Sequence, residues 1–164
     1  MNALGKFNNL LNKLVMEITA LMFVAMSVTV VFQVASRYLS NVSAPWTEEY
    51  ARYLFIYVAL FGSSAVVKTN GHVAVTLLVE RLKGKVKYAV SIFATVVSCG
   101  FFSVMIYSGY FSMLRAARQL SPATDTNMGV IYAAVPISGA IMLLYSIEHL
   151  LKFLKQGPPP AEKE

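Results

Sequence analysis

Charge is what this chain of 164 residues has least of. Only 13% of its residues are Asp, Glu, Lys or Arg, against ~25% in an average soluble domain. Too few charges remain to cover a water-exposed surface, so lipid must solvate part of the molecule. Cysteine is nearly absent as well. Cys99 is single and lies in an apolar run, which excludes an internal disulfide and a CxxC redox pair. Two histidines, His72 and His149, are too few for a zinc site built from protein alone. No phosphate-binding loop, metal cluster or nucleophile–base pair is present. Enzyme chemistry is therefore not expected, and neither a cofactor nor a metal.

What is present is apolar length. A span needs ~20 apolar residues to cross ~30 Å of hydrocarbon. Residues 15–36 supply the first. Their uncharged core, residues 18–36, exceeds the 7–15 residues of a signal-peptide core, so a retained span is expected despite Lys6 and Lys13 ahead of it. The second span has an uncharged stretch of only residues 53–67. It reaches bilayer length if its helix begins near Trp46. Residues 88–114 form a long third span that must tilt or protrude. Residues 128–151 form the fourth, with a kink expected at Pro136. Long unbroken runs predict helices, because barrel strands alternate every second residue. The expected fold is an all-α membrane protein with four transmembrane helices. Residues 1–157 make one domain, followed by a disordered tail at 158–164.

Orientation follows from the basic residues. Lys6, Lys13, Lys68, Arg81, Lys83, Lys85, Lys87, Lys152, Lys155 and Lys163 fall on one side; Arg37, Arg52, Arg115 and Arg118 fall on the other. The richer side is the cytoplasmic one, so both termini are expected there. The net charge of +6 is read as this asymmetry, with phospholipid as the neighbour, and no nucleic acid is called for. Between the second and third spans, Val75, Leu78, Val79 and Leu82 share one helical face, and Lys83, Lys85 and Lys87 follow. A short amphipathic helix on the membrane surface is expected there. The turn at residues 119–127 holds Ser121-Pro122, and Asp125 or Thr126 is placed to cap the fourth span. Ala59 with Ser63, Ala94 with Ser98, and Ala134 with Ser138 offer close helix approach.

The polar groups near the membrane carry the functional question. Arg37 ends the first span. Trp46, Glu48, Glu49, Arg52 and Tyr53 open the second. Glu48 and Arg52 are four apart with the acid first, the favourable order in a helix. Either these charges cap the ends of two helices, or some form a fixed contact with a partner subunit. Two other classes are weighed. An autonomous small four-helix transporter would use Glu17 near the start of the first span. A redox membrane anchor would use His72 and His149 as haem ligands.

The run Phe32-Gln33-Val34-Ala35-Ser36-Arg37-Tyr38, then Trp46-Thr47-Glu48-Glu49-Tyr50-Ala51-Arg52-Tyr53-Leu54-Phe55, Gly62 and Gly71-His72-Val73, resembles the small membrane (Q) subunit of the tripartite ATP-independent periplasmic (TRAP) transporters. The resemblance covers roughly residues 15–155. It implies a bacterial inner-membrane location and a large multi-span permease subunit as partner. It also implies a soluble periplasmic substrate-binding protein and sodium-driven uptake of organic acids such as sialic acids or C4-dicarboxylates. The permease holds the substrate and sodium sites in such systems, and the small subunit extends its static scaffold. The residues agree on one point: the spans lack the mid-membrane polar groups that a transport path needs.

Overall fold

A computed structural model describes residues 2–39, 45–70 and 84–156. The expected surface helix (Val75, Leu78, Val79, Leu82), His72 and the tail at 158–164 lie outside the described residues. All regular structure among the described residues is helical: α1 (Asn2–Leu39), α2 (Pro45–Asn70), α3 (Gly84–Ala116), α4 (Met128–Tyr132) and α5 (Ala134–Gln156). Four stretches are long and apolar enough to cross a membrane, the fourth running through α4 and α5. Serine and threonine are tolerated inside them because their hydroxyls bond back to the chain. Thr19, Ser27, Thr29, Ser63, Thr95 and Ser98 each donate to the carbonyl four residues earlier, leaving no unpaired donor to lipid.

The break between α4 and α5 falls at Ala133, three residues ahead of the proline expected to kink the helix. Pro136 has no N–H to offer the Tyr132 carbonyl. The neighbouring bonds adjust: Ala133 N–H donates to Gly129 and Val130, and Ile137 N–H donates to Ala133. The cap of α4 also differs from expectation. Asn127 holds it, its Oδ1 accepting from Gly129 N–H at 2.8 Å, while Asp125 sits at φ 49° in the turn.

The helices form a row rather than a closed square. α1 packs on α2, α2 on α5, and α5 on α3, while α1 and α3 make no substantial contact. Burial follows this order. In the fourth crossing 44% of the most apolar window is buried, against 11% in each edge helix. Of the small-residue pairs, Ala134 and Ser138 are fully buried, whereas Ala59 and Ser63 face outward.

Two contacts fix how α1 slides along α2. At the end where α1 begins and α5 ends, Asn8 and Lys68 both donate to Glu148 Oε2, at 2.7 and 2.6 Å. Near the far end the Phe32 and Trp46 rings lie 6.0 Å apart. Between these points the helices run antiparallel over ~36 and ~33 Å. α2 ends one residue beyond Trp46, but α1 continues to Leu39, a further ~10 Å. The uncharged runs are consequently out of step. That of α1 is centred ~15 Å nearer the far end than that of α2.

Candidate functional site

Two polar clusters tie the row together, one at each end. The far-end cluster is built on Glu49, in the first turns of α2. Its carboxylate accepts from the Ser121 hydroxyl, from Thr124 Oγ1 at 2.9 Å and from Ala123 N–H at 3.1 Å. Thr126 extends the hydroxyl network through Thr124. Asp125 N–H donates to the Ser121 carbonyl and Ser121 N–H to the Thr126 carbonyl, closing the turn around the carboxylate. Alongside, Tyr57 donates to the Val130 carbonyl at 2.6 Å and Tyr53 reaches Met128 Sδ at 3.6 Å. α2 is thereby pinned to the turn between α3 and α4.

The residues singled out from the sequence separate here. Glu49 is engaged within the chain. Glu48 pairs with Arg52 at 2.8 Å, both well exposed, as their spacing predicted. Trp46 packs between Phe32, tilted at 40°, and Tyr50, edge-on at 75°. Arg37 stands on the overrun of α1, makes no ion pair with the described residues, and does not join the glutamates.

The second cluster was not foreseen. Glu148 is 5% exposed and draws together three helices. It accepts from Lys68 of α2, from Asn8 of α1, and from Lys152 one turn on in α5 at 2.6 Å. Gly5 of α1 backs onto the same carboxylate, where an added Cβ would lie 3.7 Å from Oε1. Lys68 also lies over the Tyr145 ring, 5.5 Å from its centroid, a favourable place for a cation. His149 Nε2 is 3.1 Å from the Lys68 carbonyl, which belongs to the last turn of α2 and has no intrahelical partner. His149 is thus occupied by backbone. Glu17 pairs loosely with Lys13 at 3.9 Å, both exposed.

The two clusters are spaced to suit a bilayer. Glu49 and Lys68 are nineteen residues apart on α2, ~28 Å of helix, close to the ~30 Å of hydrocarbon. That spacing would let each cluster sit at a boundary, where polar groups cost least. Between them, among the described residues, lies a mainly apolar groove of about 330 Å³, open along α3 and lined by Phe101, Val104, Met105, Gly109, Tyr132 and Val135 with the hydroxyls of Ser108 and Ser112. It contains no charged group. Among the described residues no set of three or more His, Cys, Asp or Glu could hold a metal.

The outcome at Glu49 has a direct test. Replacing Glu49 by leucine removes three bonds to the turn, so the purified subunit is expected to melt at a lower temperature. Glu48→Gln, which loses only an exposed pair, should leave the melting temperature where it was.

Comparison with known proteins supports the same reading of the whole chain. Residues 10–156 match the family described as Tripartite ATP-independent periplasmic transporters, DctQ component. The chain is 25% identical to the sialic acid TRAP transporter small permease protein SiaQ of Vibrio cholerae, over 93% of this chain and 88% of that one. It is 24% identical to the C4-dicarboxylate TRAP transporter small permease protein DctQ of Rhodobacter capsulatus, over 74% of this chain and 55% of that one. It also matches part of the sialic acid TRAP transporter permease protein SiaT of Haemophilus influenzae, at 24% identity over 84% of this chain but only 22% of that protein. A row of four long apolar helices, tied by a polar cluster near each end, belongs to the DctQ family, the small permease subunits of TRAP transporters.

Proposed function

We propose that this chain is the static membrane subunit of a sodium-driven uptake system for organic acids, sialic acids or C4-dicarboxylates, and that it holds no substrate site itself. The observation that carries this reading is where the polar side chains are spent. Glu49 and Glu148 each bind other parts of the same chain at the two membrane boundaries. On α2 the one charge between those boundaries is Arg52, within a turn of Glu49 and paired with Glu48; residues 53–67 of α2, 88–114 of α3 and 134–147 of α5 carry none, and a path for a carboxylate and sodium needs one or more polar groups at mid-membrane. Transport therefore falls to a larger permease subunit, which this row widens and steadies. The match to one segment of the longer SiaT chain supports such a partner. Both termini and the Glu148 cluster face the cytoplasm, as the excess of Lys and Arg on that side favours. The Glu49 cluster faces the periplasm, where a soluble binding protein delivers substrate.

The test is reconstitution. The chain should co-purify with its large permease, and sodium-driven uptake in proteoliposomes should require both subunits and the binding protein. Sodium-driven uptake by this chain alone would overturn the proposal.

A further inference from the structure

We infer that α1 is the seam along which this subunit meets its large membrane-spanning partner. The inference rests on the proposed function above and assigns one helix of the row to that contact.

α2 and α5 carry the groups that mark where the bilayer lies, and the charges and apolar residues of α1 are out of register with them. Glu148, Lys68 and Asn8 mark one boundary, and Glu49 with Asn127 marks the other. Measured from Asn8, the exposed pair Lys13 and Glu17 lies ~8–14 Å towards the middle of the membrane. Lipid is a poor solvent for a carboxylate at that depth, and Glu17 is too short to reach the headgroups. At the other end the mismatch reverses. Beyond the Trp46 contact α1 carries Val34, Tyr38 and Leu39, which are 51%, 86% and 85% exposed. Val34 and Leu39 stand at or beyond the edge of the hydrocarbon, where lipid tails do not cover them, and the exposed Tyr38 ring lies at headgroup level between them. α1 is therefore too polar for lipid near one boundary and too apolar for water past the other.

A single occupant resolves both faults. Lys13, Glu17, Ala20, Val24, Ser27, Val31, Val34 and Tyr38 follow one another at alternating intervals of four and three, the spacing of a helix-packing seam, and all but half-buried Ser27 are exposed. From Lys13 to Tyr38 the seam runs ~38 Å. A lipid cannot span that length, and a soluble periplasmic protein cannot reach Glu17. A transmembrane helix of a partner can, supplying a polar group opposite Lys13 and Glu17 and apolar cover opposite Val34 and Tyr38. The low charge of the far half also suits a permanent partner better than a transient one, since permanent interfaces are the more hydrophobic.

The experiment is photo-cross-linking in the assembled transporter in proteoliposomes. Cys99 is first replaced by alanine. Single cysteines are then introduced as Val24→Cys or Tyr38→Cys on α1, or Phe93→Cys on the opposite edge, and labelled with benzophenone maleimide. Both α1 positions are expected to give an adduct with the permease, at about tenfold the yield from Phe93→Cys. An adduct with a second copy of this chain, an adduct with the binding protein, equal yield from Phe93→Cys, or lipid adducts alone would each overturn the inference. As a second readout, Val34→Asp with Tyr38→Asp should lower recovered permease about tenfold or more, because a carboxylate would be buried unpaired; unchanged recovery would overturn the inference. If the unmodified chain fails to co-purify with the permease, the proposed function itself fails. If it co-purifies but no α1 adduct forms, only the seam fails.

Discussion

Glu148→Ala is expected to destabilise the subunit by about 3–5 kcal/mol, the usual cost of leaving one partner of a buried ion pair alone. The side chain of Lys68 is 10% exposed and that of Glu148 6%. Without the carboxylate, Lys68 keeps its charge beside the Tyr145 ring, and Asn8 keeps only its long bond to the Leu144 carbonyl, at 3.5 Å. Lys152 suffers less, because it is half exposed and can turn to water. The loss is cooperative, since a single carboxylate holds α1, α2 and α5 at that end. Melting of the purified subunit in mild detergent measures it. A paired replacement, Lys68→Met with Glu148→Leu, should recover most of the lost stability, because it removes the charge along with its partner. Equal damage from the single and the paired replacement would show that the cluster acts through packing alone.

Gly129→Ala is the second large effect, from one methyl group. A Cβ there would lie 2.8 Å from both Cα and Cβ of Ala117 and 3.0 Å from Asn127 Oδ1. Ala117 is backbone and cannot step aside, and Asn127 is the cap of α4. Overpacking of this kind costs about 1–3 kcal/mol, with up to ~1 kcal/mol more if the cap opens. The gain in helix propensity from glycine to alanine, ~1 kcal/mol at most, does not offset it. The melting temperature should fall, and Asn127→Gly in the same background should relieve part of the loss by removing the struck oxygen. Gly62, where an added Cβ meets nothing, is the control: Gly62→Ala should leave the melt unchanged or raise it.

The spans could be read in the sequence because lipid leaves a signal in every residue of a crossing. Lack of charge over residues 18–36 or 88–114 is visible one position at a time. The Glu48–Arg52 pair was visible for a similar reason, since both members lie on one helix turn. The two clusters were not legible. Glu49 meets Ser121 across seventy-two positions and Lys68 meets Glu148 across eighty, and nothing local announces either. One clue was available for the second. Glu148 follows a long apolar run with Lys152 four residues on, an arrangement that seldom faces lipid without a reason. The pair Glu148 and Lys152 alone gives no sign that the carboxylate gathers three helices. The order of the row was hidden too, because four apolar helices carry no mark of which pairs touch. Asn127 lost out as a cap to Asp125 and Thr126, since all three residue types suit that place and only the turn geometry decides.

The ~28 Å between Glu49 and Lys68 makes α2 a gauge of membrane thickness. A thicker bilayer would draw one cluster or the other into hydrocarbon, and the cost must be met by thinning the lipid around the subunit or by tilting the row. Since α2 is flanked by α1 and α5, it cannot tilt alone. The whole assembly would lean with it, so acyl-chain length in a reconstitution becomes a mechanical variable acting on whatever stands beside the row.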